Sequence, residues 1–313
     1  MKLHALLAAG IALTFSAATA QATQVYVFGD SLVDAGNIFV ATGGAVPSAA
    51  QGYFQGRFNE GYDFTDYLQI GLTGVPTTPS LLGGTNYAWG GARAIGPAYG
   101  GVPVPGLPQQ LGSYLAASGG VGDANGIYVL NFGGNDVFGI NSNDIGALTA
   151  AQAGALVVSN LVSAVTTLSS IGAGNILVMG IPNSDATGFA IDFALQSALD
   201  TIEPGLAANL YRYSYYGFYN RVLSDPTAYG YPANLDVSTP CIAVQPVING
   251  KIDCTGYFSF DGTHFTNQAH SVIYRDLVQV LGVPEPASWA MLISGFALVG
   301  GALRRRRATV VAA

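Results

Sequence analysis

Two histidines lie in the body of this chain, and His264 stands three positions after an acid in Asp261-Gly262-Thr263-His264. On a turn, that spacing lets the carboxylate reach the ring nitrogen that faces away from a reacting group. A histidine oriented this way can take a proton from a serine hydroxyl, and a serine nucleophile needs such a base. The candidate serine is Ser31, in Gly29-Asp30-Ser31-Leu32. Two further segments could stabilise the charge that forms on an attacked carbonyl. Gly133-Gly134-Asn135-Asp136 offers the Asn135 amide, and Trp89-Gly90-Gly91-Ala92 offers backbone N–H groups that can approach a ligand closely. The second histidine, His270, falls on the helix expected after Thr266, opposite no such motif, and reads as a surface or half-buried helix residue.

Each segment follows a stretch suited to a strand, or sits in a glycine turn. Gln24–Phe28 is β-rich and runs into the Ser31 motif. Ile127–Phe132 runs into the Asn135 motif, and Asn175–Gly180 is a third apolar run, stopped before Pro182. Helical patterns fall at Tyr62–Ile70, Leu107–Ala117 and Leu148–Leu168. Another spans Phe193–Leu223, interrupted near Pro204, and the last begins near Thr266. Near-continuous apolar strands alternating with helices predict an α/β, three-layer fold around a central parallel sheet. In such sheets ligands bind beyond the carboxyl ends of the strands, where these motifs fall. This geometry also puts Ser31 at a helix N-terminus. The Gly/Pro-rich 96–108 stretch reads as a surface loop. The Tyr211–Tyr219 segment reads first as one face of a packed helix and second as the lining of a sugar or lipid site.

The four motifs, in this order, resemble the SGNH/GDSL hydrolase family across about residues 24–281. The blocks are GDSL with Ser31, a glycine block with Gly90, GxND with Asn135, and DxxH with Asp261 and His264. Asp34-Ala35-Gly36-Asn37 and Gly56-Arg57-Phe58 resemble the lipase-type branch. The resemblance implies a flavodoxin-like domain that cleaves carboxylic esters, with Ser31 as nucleophile, His264 as base and Asp261 as its orienter. It implies an oxyanion hole of the Ser31 and Gly90 N–H groups with the Asn135 side chain. It implies no cofactor and no metal. Phe265 stands where the family often has Pro. Trp89 stands where small residues are common, and there it would narrow or line the acyl pocket. The GxSxG elbow of α/β-hydrolases is absent around Ser31, which disfavours that fold. The expected substrate is a small ester, a lipid or an acylated glycan. Rival readings are deacetylation of an exopolysaccharide and a non-catalytic surface or matrix protein on the same fold.

The ends and the charge place the protein. Lys2, an apolar run and small residues near Ala20 and Ala22 read as a signal peptide over 1–22. The body, 23–283, reads as one domain. It holds six Lys and Arg against seventeen Asp and Glu, a net charge of −11, which disfavours nucleic acid as a partner. Cys241 and Cys254 are the only cysteines, and an exported chain makes a disulfide the default over two buried thiols. From Val283-Pro284-Glu285-Pro286 through the uncharged run 287–303 to Arg304–Arg307, residues 284–313 resemble a PEP-CTERM sorting tail. Seventeen residues span about 25 Å as a helix, slightly short of a bilayer core. The resemblance implies export in a Gram-negative bacterium, transient inner-membrane anchoring, exosortase processing, and release to the envelope or outside.

Overall fold

The computed structural model describes residues 23–96 and 104–282; the expected signal peptide and sorting tail lie outside these residues. Four strands form one parallel sheet in chain order: β1 (Val25–Gly29), β2 (Ile127–Asn131), β3 (Asn175–Met179) and β4 (Asn209–Tyr213). The helices are α1 (Asn37–Ala41), α2 (Phe64–Thr73), α3 (Leu107–Ser118), α4 (Gly134–Asn141), α5 (Ala150–Ser170), α6 (Ala186–Ile202), α7 (Tyr215–Ser224), α8 (Cys241–Val244) and α9 (Asn267–Val280).

Both faces of the sheet are covered, and the side-chain alternation of the strands shows it. Phe28, Tyr128, Leu130, Ile176 and Val178 pack with Leu107 of α3, Leu161 of α5 and Leu195 of α6. Val25, Val27, Val129, Leu177 and Met179 pack with Phe64 of α2, Phe218 of α7 and Val272 of α9. The result is the expected three-layer α/β architecture. Residues 85–89 add to the free edge of β1: Val27 N donates to Thr85 O, Tyr87 N to Val27 O and Trp89 N to Gly29 O. The bridge between Val27 and Asn86 is parallel. With this segment taken as the second strand, the order is the 2-1-3-4-5 of flavodoxin-like sheets, whose switch point lies between β1 and β2.

Two expectations need correcting. Phe193–Leu223 is not one or two helices: α6 ends at Ile202, and β4 pairs with β3 from Asn209 to Tyr213 before α7 begins. The 203–205 turn holds Pro204, which lacks the N–H that a continuing helix requires. Arg212 then faces back to Asp200 and Glu203, which anchors the new strand beside the helix it follows. Ser31 is not at a helix N-terminus either. It lies in a turn closed by Val33 N donating to Asp30 O at 3.1 Å, and α1 starts only at Asn37.

Candidate active site

The Ser31 turn is tight because β1 ends against β2. A Cβ on Gly29 would come within 2.4 Å of Val33 Cγ2 and 2.8 Å of the Asn131 carbonyl oxygen, so only glycine fits there. Asp30 then turns inward and is buried. Its Oδ1 accepts from Leu32 N at 3.0 Å and from Asn131 Nδ2 at 3.2 Å. Tyr215 Oη donates in turn to Asn131 Oδ1 at 2.7 Å. Burial pushes the Asp30 carboxyl up to about 7, against the pull of these donors and of His264.

His264 reaches this turn from the far end of the chain. Phe258–Thr266 folds as a tight hairpin, with Phe260 N donating to His264 O and Thr266 N to Phe258 O. Gly262 at its tip has φ +94°, a backbone state that side chains disfavour. The hairpin aims His264 Nε2 at Ser31 Oγ, 2.7 Å away, and His264 Nδ1 at Asp261 Oδ2, also 2.7 Å away. Asp261 Oδ1 accepts from Thr263 N and His264 N, and Tyr53 Oη donates to Oδ2 at 2.9 Å. Partial burial pushes the Asp261 carboxyl up, but the His264 ring and the backbone donors outweigh it and hold it down at about 2. Cys241 and Cys254 are joined in a disulfide, with Cα atoms 5.5 Å apart. Their chain segment meets the hairpin through Cys241 N to Ser259 O and Ile242 N to Phe260 O, both 2.9 Å.

Asn135 stands in the first turn of α4, after Gly133 at φ +109°. Its Nδ2 spends one hydrogen on Ala92 O at 3.1 Å. Ser31, Asn135 and His264 line one half-open cavity of about 70 Å³ with Leu32, Phe138 and Pro182. The expected Gly90 donor does not reach it. Gly90 N donates to Asp34 Oδ2 at 2.9 Å, so it is already committed. The next group on the same turn, Gly91 N–H, has no partner among the described residues. Trp89, expected at the acyl pocket, is half-buried against the core below. His270 is not on the surface: it is fully buried between Phe64 and Phe265, and burial pushes its ring down to about 3. Among the described residues, no group of three or more His, Cys, Asp or Glu converges as metal ligands would.

Several residues that build the site carried no assigned role in the motif reading. Asp34 is buried, and its carboxylate accepts from Gly36, Asn37 and Gly90 N–H at 2.6–2.9 Å. Asp136 does the same for Ala94 and Ile95 N–H. These two carboxylates tie the glycine turn to the β1 and β2 edges. Both acids stand inside recognised motifs, Asp34-Ala35-Gly36-Asn37 and GxND, so a signal existed. For Tyr53 there was none, because it lies 208 positions from its partner Asp261.

Residues 25–277 match the family model described as GDSL-like lipase/acylhydrolase, and residues 282–307 match the PEP-CTERM protein-sorting motif. Lipase 1 of Photorhabdus luminescens is 33% identical over 172 residues, covering 55% of this chain and 24% of that protein. The secreted effector protein SseJ of Salmonella typhimurium is 29% identical over 175 residues, covering 53% of this chain and 36% of that protein. The chain thus spans about a quarter to a third of the length of these relatives. Among solved structures, the acetylxylan esterase Axe2 of Geobacillus stearothermophilus is similar over 83% of this chain and 94% of its own, with a TM-score of 0.47 and 15% identity.

Proposed function

Because this chain belongs to the GDSL-like lipase/acylhydrolase family, we propose that it is an exported serine carboxylester hydrolase working through Ser31, His264 and Asp261. The observation that carries this reading is the unbroken chain from Ser31 Oγ through His264 to Asp261: two contacts of 2.7 Å, the first between residues 233 positions apart in sequence. As Ser31 Oγ attacks the ester carbonyl carbon, its proton passes to His264 Nε2. Asp261 stays ionised and steadies the charged ring. The tetrahedral intermediate collapses, His264 gives the proton to the leaving alcohol, and an acyl-Ser31 ester remains. A water molecule then attacks that ester, with His264 again as base, and releases the acid.

The developing oxyanion takes hydrogen bonds from the Ser31 N–H and the second hydrogen of Asn135 Nδ2. The Gly90 N–H expected as a third donor is already committed to Asp34 Oδ2. The working domain is 23–283, with a signal peptide over 1–22. The sorting tail from about Pro284 holds the protein transiently in the inner membrane of a Gram-negative cell until exosortase processing frees it.

A fluorophosphonate probe tests the chemistry. The wild-type protein becomes labelled on the peptide containing Ser31, and Ser31→Ala does not. Labelling elsewhere, or none, refutes the assignment, and absence of labelling returns the chain to a binding role. Mass spectrometry of protein from the native envelope and medium tests the processing. A tail peptide still attached to most released enzyme rules it out.

A further inference from the structure

His264 opens onto two cavities of unlike size, and Ser31 onto one of them. The first, about 70 Å³, holds Ser31 and Asn135, so the carbonyl carbon and its oxyanion must sit there. The second, about 520 Å³, is lined by His264 and Thr263 but by neither Ser31 nor Asn135. Tyr219 lines both and divides them, its hydroxyl fixed to Pro182 O at 2.6 Å. The group that leaves must accept its proton from His264, which lines both cavities; the smaller one is taken by the carbonyl, so the larger cleft is the side of the alcohol. The acyl chain is left with the smaller cup.

The contents of each cavity set the chemistry it accepts. A water needs about 10–15 Å³ of such space, so the cup has room for about five heavy atoms: a carbonyl group and two or three carbons. Longer chains would have to run out over solvent. The larger cleft has the size of a small-ligand site. Its walls are mixed: the rings of Tyr216 and Tyr219 and the side chain of Leu223 against the Asn220 amide and the hydroxyls of Ser184 and Ser238. A sugar ring is matched to such walls, with C–H faces for the aromatic rings and hydroxyls for the polar groups. Neither lining includes Lys or Arg among the described residues, so a phosphate headgroup finds no cationic partner.

We propose, on the premise that Ser31 is the nucleophile, that this enzyme removes short acyl groups, acetyl foremost, from carbohydrate hydroxyls. The acyl group occupies the cup between Leu32, Phe138 and Pro182, and the sugar occupies the cleft beyond His264. Acetyl passes from the sugar oxygen to Ser31 Oγ, the sugar leaves with the proton from His264, and water converts acetyl-Ser31 to acetate and free serine.

The test uses the purified full chain on a p-nitrophenyl series from acetate to dodecanoate, then on glucose pentaacetate, ethyl acetate and phosphatidylcholine vesicles. The expected kcat/KM falls about tenfold or more from butyrate to octanoate. Acetate release from the sugar exceeds that from ethyl acetate by about tenfold or more, and the vesicles are not hydrolysed. Phe138→Ala, which opens the cup, moves the optimum to longer chains. Leu223→Trp, which fills the cleft from an exposed helix position, lowers the ratio of sugar-acetate to ethyl-acetate turnover. A protein labelled at Ser31 that prefers octanoate, attacks the vesicles, or treats both acetates alike overturns this proposal and leaves the hydrolase reading intact. A protein that neither labels nor turns over any ester removes the premise, and the proposal falls with it.

Discussion

The two halves of the candidate active site are held in different ways. The nucleophile side grows from β1, β2 and the 85–89 segment, and its turns are tied down by buried carboxyls. Asp30, Asp34 and Asp136 each accept backbone N–H groups where the strands end. The base side sits on an irregular stretch outside the sheet. It is fixed by the Cys241–Cys254 disulfide, the small cluster of Ile252 and Phe260, and Tyr53 packed edge-on against Phe260 with ring centroids 4.9 Å apart. A parallel sheet makes its own precise edge, because every strand end is hydrogen-bonded to a neighbour. A loop must be pinned from outside. The contrast predicts that damage to the first side spreads into the fold, whereas damage to the second stays near His264.

Five measurements strain that contrast. The largest effect falls on both sides equally. Ser31→Ala and His264→Ala each cut kcat by on the order of 10⁶-fold, and the double variant loses little more, because the groups act as one unit. Additive losses in a kinetic cycle would mean that the 2.7 Å contact between them is not part of the reaction.

Asn135→Ala comes next, with kcat lower by about 100- to 1000-fold and KM little changed, since an oxyanion donor acts as charge develops. A change confined to KM would make Asn135 a binding group for the ground state.

Asp34→Ala tests whether the nucleophile side transmits damage. It leaves the Gly36, Asn37 and Gly90 N–H groups without their acceptor, at about 1–3 kcal/mol for each that water cannot reach. Denaturant unfolding should show a loss of about 3 kcal/mol or more, and kcat should fall about tenfold as the glycine turn loosens. Wild-type stability in this variant would break the contrast.

Reduction of the disulfide is the matching test on the other side. It frees a loop with a sequence separation of 13, and the chain-entropy account puts the loss at about 3 kcal/mol. Hydrogen exchange should rise most around 241–264, whereas β1 and β2 should show only the increase set by the lower global stability. Uniform exposure of the sheet would show that the base side is not the separable part.

The smallest effect is that of pH, and the two sides have opposite signs. Burial pushes the Asp30 and Asp34 carboxyls up to about 7 and 6. The folded state therefore binds more protons than the unfolded chain between about pH 4 and 7. Their stabilising share is full below the ordinary carboxyl range and is lost as pH rises through 6 to 7. Asp261, held down at about 2, contributes stability above about pH 4 and loses it as pH falls towards 2. The raised group is the larger, so the thermal midpoint at pH 5 should exceed that at pH 8 by about 2 °C or more. The reverse order would show that these carboxyls are ionised in the folded protein.

What could be read from the residues alone was whatever is local or periodic. The apolar runs placed β1, β2 and β3, because a strand buried on both faces must be apolar throughout. Asp261 and His264 could be paired because three positions on a turn bring them within reach, whereas Ser31, weak as a motif by itself, followed from the four blocks taken in order. β4 was missed because NLYRY is mixed where β1, β2 and β3 are largely apolar, and only its pairing with β3 marks it as a strand. Gly90 was assigned a donor role by its place in the family's glycine block, and sequence does not show which way its N–H points. Only the fold brings Asp34 to that N–H, 56 positions away, and leaves Gly91 unpartnered among the described residues. The same holds for Tyr53 on Asp261 and for the two cavities divided by Tyr219. Short motifs and their order, with the family they resemble, pointed to the candidate reacting groups, since each motif is a few residues long. Tertiary structure decided which hydrogen bonds are already taken and how much room lies on either side of His264, because those depend on chain segments that meet only when the sheet closes.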